Sequence, residues 1–127
     1  MNQDKILNNK LINELKKDKR IIAVLLFGSR ARNEQYRDTD ICLVLDKKYS
    51  NLEMSKIVLK YSSELTAKHD IQVFQQLPLY IRQRILKEGK ILLCINEPAL
   101  YDIAFATIKE FEYYKKIYYT YLEAMQK

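Results

Sequence analysis

The stretch Val24–Leu45 restricts the fold most: two short apolar runs, Ile21–Phe27 and Ile41–Leu45, flank a glycine and a polar segment. Short, continuous apolar runs bounded by turn signals read as buried strands. Gly28 is one of only two glycines in the chain. It lets the backbone turn sharply and approach a ligand closely. Ser29 is placed to cap a short helix, Ser29–Asn33. The N-terminus of such a helix offers unpaired N–H groups and a positive dipole end to phosphate. Arg30 and Arg32 add fixed positive charge. Glu34–Thr39 is polar and reads as a loop. Ten residues separate Ser29 from Asp40, which heads the second run. A phosphate cradle and a carboxylate thus meet at one end of adjacent strands, an arrangement suited to a Mg²⁺-bound nucleoside triphosphate.

The remaining elements follow from periodicity. Asp4–Lys19 carries Ile6, Leu7, Leu11, Ile12 and Leu15 on one helical face. Asp40–Leu45 is a strand with Asp40, Cys42 and Val44 on one side. Ser50 and Glu53 form a capping box opening a helix over Leu52–Lys68, with Met54, Ile57, Val58, Tyr61 and Leu65 as its buried stripe. Asp70–Phe74 is a third strand, with Asp70, Gln72 and Phe74 on one face. Pro78 opens a helix to Lys87, Gly89 ends it, and Lys90–Ile95 is a fourth strand. Pro98 opens a last helix to about Met125, roughly 40 Å long. Leu100, Ala104, Ile108, Phe111, Tyr118, Leu122 and Met125 lie near one of its faces. It holds six of the ten tyrosines: Tyr101, Tyr113, Tyr114, Tyr118, Tyr119 and Tyr121. One face cannot bury them all, so a contact with another subunit or a partner is expected there.

The alternation predicts an α/β (α+β) fold: a small mixed sheet of about four strands, with helices mainly on one face. At 127 residues the chain is expected to form one domain, with its core over 21–95 and the helix 98–126 added for packing or docking. No apolar run is long enough to span a bilayer and no signal-peptide pattern opens the chain, so a cytoplasmic protein is expected. Cys42 and Cys94 sit in apolar runs and read as reduced, buried thiols. The chain has no C-x-x-C and one histidine, which disfavours zinc. That histidine, His69, should point away from Asp70 by strand alternation, and supports no Ser–His–Asp arrangement. The net charge of +6 suits a nucleotide or an acidic protein. The basic residues are scattered along helix faces, which disfavours nucleic acid. P-loop and Rossmann glycine patterns are absent.

F-G-S-R-A-R followed by D-T-D-I resembles the minimal nucleotidyltransferase (MNT) family of the DNA polymerase β-like superfamily. Gly28, Ser29 and Asp40 fall on its G-S and D-x-D signature; Cys42 stands where the second aspartate belongs. Asp70-Ile-Gln-Val-Phe resembles the strand bringing the family's third carboxylate, and Pro78–Leu93 the last helix and edge strand. The resemblance covers 21–94. It implies a polymerase β palm-like fold, phosphate contacts from Gly28, Ser29 and Arg30, and Mg²⁺ held by the catalytic Asp40 and Asp70. It further implies ATP as donor and, as partner, a HEPN-type toxin encoded alongside, whose tyrosine accepts AMP. Asp38 forms an early D-x-D with Asp40 and is the alternative third acid, although loop capping is its simpler reading. A second reading is a binding module of the same fold, inactive through Cys42, that neutralises its partner by contact. A third, nucleotidyl transfer to a small molecule, would want a further substrate domain. A homo-oligomer through the last helix is also compatible with the sequence.

Overall fold

The computed structural model describes residues 7–28, 39–64 and 69–126. In chain order these form α1 (Asn9–Lys17), β1 (Ile21–Gly28), β2 (Thr39–Leu45), α2 (Asn51–Ser62), β3 (His69–Val73), a 3₁₀ turn (Phe74–Gln76), α3 (Leu79–Glu88), β4 (Lys90–Cys94) and α4 (Glu97–Met125). The sheet order is β3-β2-β1-β4. β1 runs antiparallel to both β2 and β4, and β2 runs parallel to β3 with α2 as the crossover. The mixed four-stranded sheet expected from the sequence is present.

Helices cover both faces, not mainly one. Ile21, Val24, Leu26, Ile41, Leu43 and Leu45 pack with Leu11 and Leu15 of α1 and with Met54, Ile57 and Tyr61 of α2. Ile22, Leu25, Cys42 and Val44 pack on the other side with Phe74, Ile85 of α3 and Leu100 of α4. The reason is legible in β1 and β2, whose continuous apolar runs supply side chains to both faces.

Several boundaries differ from the sequence reading, each for a local reason. The first helix starts at Asn9, because the side chain of Asn8 accepts a hydrogen bond from the Leu11 N–H and caps it. Leu7 precedes the cap, buried in the same cluster as Ile12. Residues 4–6 lie outside the described part, as do 65–68, which carry Leu65 and the expected end of the second helix. α2 opens at the predicted Ser50 cap, whose Oγ accepts from the Glu53 N–H, and closes at Ser62. β3 stops at Val73: the Gln75 amide takes the place of a strand partner, accepting from the Leu45 N–H and donating to its carbonyl. Phe74 consequently turns into the core. Gly89 ends α3 with an ordinary φ of −74°. Its need for glycine is room, since a Cβ there would meet the Ile85 carbonyl oxygen at 2.6 Å and that of Leu26 at 3.1 Å. β4 ends at Cys94, which is exposed, not buried as expected. Asn96 caps α4, whose first residue, Glu97, lies one ahead of the predicted Pro98 opening.

The 29 residues of α4 span about 43 Å. Only Leu100 and Thr107 are buried. The stripe expected to be covered is bare further on: Ile108, Tyr118 and Met125 are exposed. Tyr114 and Tyr118 stack on each other along the helix, with ring centroids 6.2 Å apart.

One polar network joins the turn after α1 to α2. The Asp18 carboxylate accepts from the Arg20 backbone N–H, from the Arg20 guanidinium at 2.9 Å, and from the Tyr61 hydroxyl at 2.7 Å. Burial opposes the charge, but the hydrogen bonds from Arg20 and Tyr61 outweigh it and hold the carboxyl at about 2. A carboxyl depressed from 3.8 to about 2 contributes on the order of 2 kcal/mol to stability at neutral pH. That contribution is full above the unfolded value and is lost as pH falls through about 2. Asp18→Asn should therefore lower stability at pH 7 by about 1–3 kcal/mol. Its deficit against wild type should shrink as pH falls from about 5 towards 2, which paired urea melts at several pH values would measure.

Candidate active site

β1 ends where β2 and β3 begin. Gly28, the last residue of β1, has φ of 109° and sits in register with Thr39. A side chain is strained in that conformation, so here the glycine is required by the backbone itself. One step into the sheet, Phe27 lies opposite Asp40, and Asp40 lies opposite Asp70 on β3. Neighbouring strands are about 4.8 Å apart. The two predicted carboxylates are thus brought side by side, in register, at the mouth of the sheet. Asp40 is half-buried and Asp70 is exposed. Ser29, Arg30, Arg32 and Asp38 lie outside the described residues.

Cys42 is one strand repeat deeper than Asp40 on the same face, opposite Leu25 on β1 and Gln72 on β3. It is 1% exposed among apolar side chains. Burial, and then the charge of Asp40, push its thiol well above the ordinary range. At pH 7 it is neutral, and it packs as a small apolar side chain. Two hard carboxylates fit Mg²⁺ when phosphate oxygens and water complete the shell. A buried neutral thiol does not fit it. Among the described residues no group of three or more acidic, His or Cys side chains is placed to hold a metal.

Phe27, which ends the first apolar run and opens the F-G-S-R-A-R motif, is given no role of its own by the sequence reading. Its half-buried ring packs against the same cluster as Cys42 and lies in register with Asp40, so it flanks the carboxylate pair. Alternation in β1 carries that signal, since Phe27 falls on the same face as Leu25.

The left-handed φ gives a direct test of the turn. Gly28→Ala should destabilise the fold by about 1–2 kcal/mol. If the turn also shapes a phosphate cradle, the variant should bind Mg-ATP less tightly than Ser29→Ala at equal folded fraction. Urea melts and calorimetry together read both effects.

Residues 9–98 match the family described as Polymerase beta, Nucleotidyltransferase. A protein of Methanocaldococcus jannaschii named "Putative protein adenylyltransferase" is 37% identical over 75 residues, 58% of this chain. The match spans 56% of that relative's length. Among solved structures, one of a toxin–antitoxin with AMP-PNP aligns over 100% of both chains with TM-score 0.68 and 20% identity. Another, of a tri-AMPylated Shewanella oneidensis HEPN toxin in complex with MNT antitoxin, aligns over 94% of this chain and 95% of that one, with TM-score 0.65 and 20% identity. At that identity the likeness establishes the fold. Among the described residues no helix is long and apolar enough to cross a membrane.

Proposed function

Because the chain belongs to the polymerase beta nucleotidyltransferase family, we propose that it is an MNT-type antitoxin that moves AMP from ATP to a tyrosine of a HEPN-type toxin partner. The observation that carries this reading is the in-register pair Asp40 and Asp70 beside the left-handed Gly28 turn. The named activity of the Methanocaldococcus jannaschii relative and the toxin–antitoxin assemblies sharing the fold support the donor, the acceptor and the partner. Gly28 lets the chain approach phosphate, with Ser29 and Arg30 following it in sequence. Asp40 and Asp70 would hold Mg²⁺, which when bound neutralises triphosphate charge and orients the reacting phosphate. Asp70, on the outer strand, is the exposed member of the pair. The reaction belongs in the cytoplasm, where ATP is supplied. The whole chain, 1–127, acts as one domain on this reading, with α4 free to dock the partner. Incubating the protein with its genomic neighbour, Mg²⁺ and ATP, and weighing both proteins, tests it. An addition of one or more AMP masses to the neighbour is expected, and unchanged masses would remove the transfer reading.

Burial of Cys42 favours a second reading, in which the chain neutralises its partner by contact and transfers slowly or not at all. Cys42→Asp separates the two. It restores a carboxylate donor but places it in an apolar cluster, so the metal-free variant should be less stable by several kcal/mol. Mg-ATP should recover part of that loss and transfer should rise. A tenfold rise corresponds to about 1.4 kcal/mol of barrier. If instead Asp38→Asn abolishes transfer while Cys42→Asp changes little, Asp38 is the third acid. Thermal melts with and without Mg-ATP accompany the transfer assay.

The bare end of α4 supplies the docking expectation. Tyr113, Ile117 and Tyr121 are 68%, 51% and 59% exposed and line one groove with Lys116 and Thr120. Tyr113→Glu with Tyr121→Glu should break the complex with the partner, seen as separate elution of co-expressed proteins, while far-UV helicity is unchanged. Co-elution of the double variant would dismiss this surface.

A further inference from the structure

The sheet order leaves β3 at an edge. β2 pairs with one side of it, and among the described residues no strand pairs with the other. Natural edges are usually blunted by lysine, proline or a bulge. His69–Val73 contains no lysine or proline, and its pairing with β2 runs without a register shift. A groove of about 720 Å³ follows this edge, lined by Ser55, Val58 and Leu59 of α2, Ile71 and Gln72 of β3, and Leu77. Ile71 and Gln72 project to opposite faces of the sheet. A groove that both line therefore runs along the edge. On α2, Leu59 and Leu52 are 72% and 66% exposed. Seven residues apart, they share one side of the helix. Exposed apolar side chains beside a strand edge that is unpaired among the described residues mark an interaction surface.

We propose that the acceptor tyrosine is carried on an extended polypeptide segment that adds to the free edge of β3 as a fifth strand. This rests on the transfer reading above and specifies how its acceptor is held. Strand addition gives main-chain hydrogen bonds for affinity, and alternate side chains enter the flanking groove for selectivity. Continuity with the candidate site argues for this occupant over any other: the open edge and Asp70 belong to the same five-residue strand. A residue added opposite Asp70 lies one strand spacing, about 4.8 Å, beyond it, with Asp40 the next strand inward. Lys56, exposed on α2, and the net charge of +6 favour a segment with acidic residues around the tyrosine. In the step itself, the phenolic oxygen forms a bond to the α-phosphorus of ATP. The bond from that phosphorus to the pyrophosphate oxygen breaks, and pyrophosphate leaves. The phenolic proton is lost to water.

The test uses the full chain and, as probe, the HEPN-type protein encoded beside it. Leu59→Glu and Ser55→Glu change exposed groove residues that the core does not use. Each should raise the KM for the acceptor protein tenfold or more, with kcat at saturating acceptor and Mg-ATP affinity unchanged. Amide hydrogen exchange should slow in β3 when the acceptor protein is added to wild type. Transfer with an unchanged KM in both variants and no protection of β3 would overturn the inference and leave the transfer reading standing. Protection of β3 without AMP transfer would overturn the transfer reading and, with it, the assignment of the bound segment as an acceptor; absence of both would overturn both.

Discussion

The structure depends on the way β1 and β2 sort their side chains. Each strand is apolar nearly throughout, so each feeds two cores at once. Alternation sends Val24, Leu26, Ile41, Leu43 and Leu45 towards α1 and α2, and Leu25, Cys42 and Val44 towards α3 and α4. A slip of one residue between the strands would exchange these sets and place Asp40 on the wrong side. With both faces buried, that slip is penalised twice. The same register aligns Asp40 with Phe27 on one side and Asp70 on the other. Placement of the candidate carboxylates and core packing are therefore one constraint.

Much of this was legible in the sequence because it rests on strong local signals. The apolar runs gave β1 and β2, the Ser50 cap gave the start of α2, and glycine after Phe27 gave the turn whose φ is 109°. The pairing of Asp40 with Asp70 was readable only in part. Both head apolar runs, but their adjacency depends on β2 and β3 being parallel neighbours, which follows from the α2 crossover and not from either strand alone. Other features depend on distant partners and were missed. Gln75 ends β3 by bonding Leu45, thirty residues away. Tyr61 reads as one more apolar stripe residue, yet its hydroxyl completes the Asp18 network. Two-sided coverage was missed because helix placement depends on crossovers that periodicity does not encode.

Cys42 shows how the two demands on β2 compete. A carboxylate at that position would be a metal donor, but without a bound cation it would be a charge in an apolar cluster, among the costliest things a core can hold. A thiol removes the cost and the donor together, and fills the space as a small apolar side chain. Asp40, one repeat nearer the mouth, escapes the conflict because it is only half-buried. The position of the substitution thus matters more than its chemistry alone. The two carboxylates at the rim, by contrast, keep access to water.

On the reading proposed above, the surfaces left bare by the fold divide the work of partner recognition between them. An extended segment added to a five-residue edge strand must be ordered as it binds, and its affinity is reduced accordingly. Such a contact suits an acceptor that has to leave after modification. It does not by itself hold two proteins together. The aromatic end of α4, a rigid helix already formed, binds with little ordering of its backbone and offers large side chains at low entropic cost. Once α4 is engaged, the acceptor segment is tethered, and its local concentration at β3 is set by the length of chain linking the two contacts. A weak edge contact is then sufficient. Release of the modified tyrosine need not dissolve the complex, so successive acceptors on one partner can reach the same pair of carboxylates.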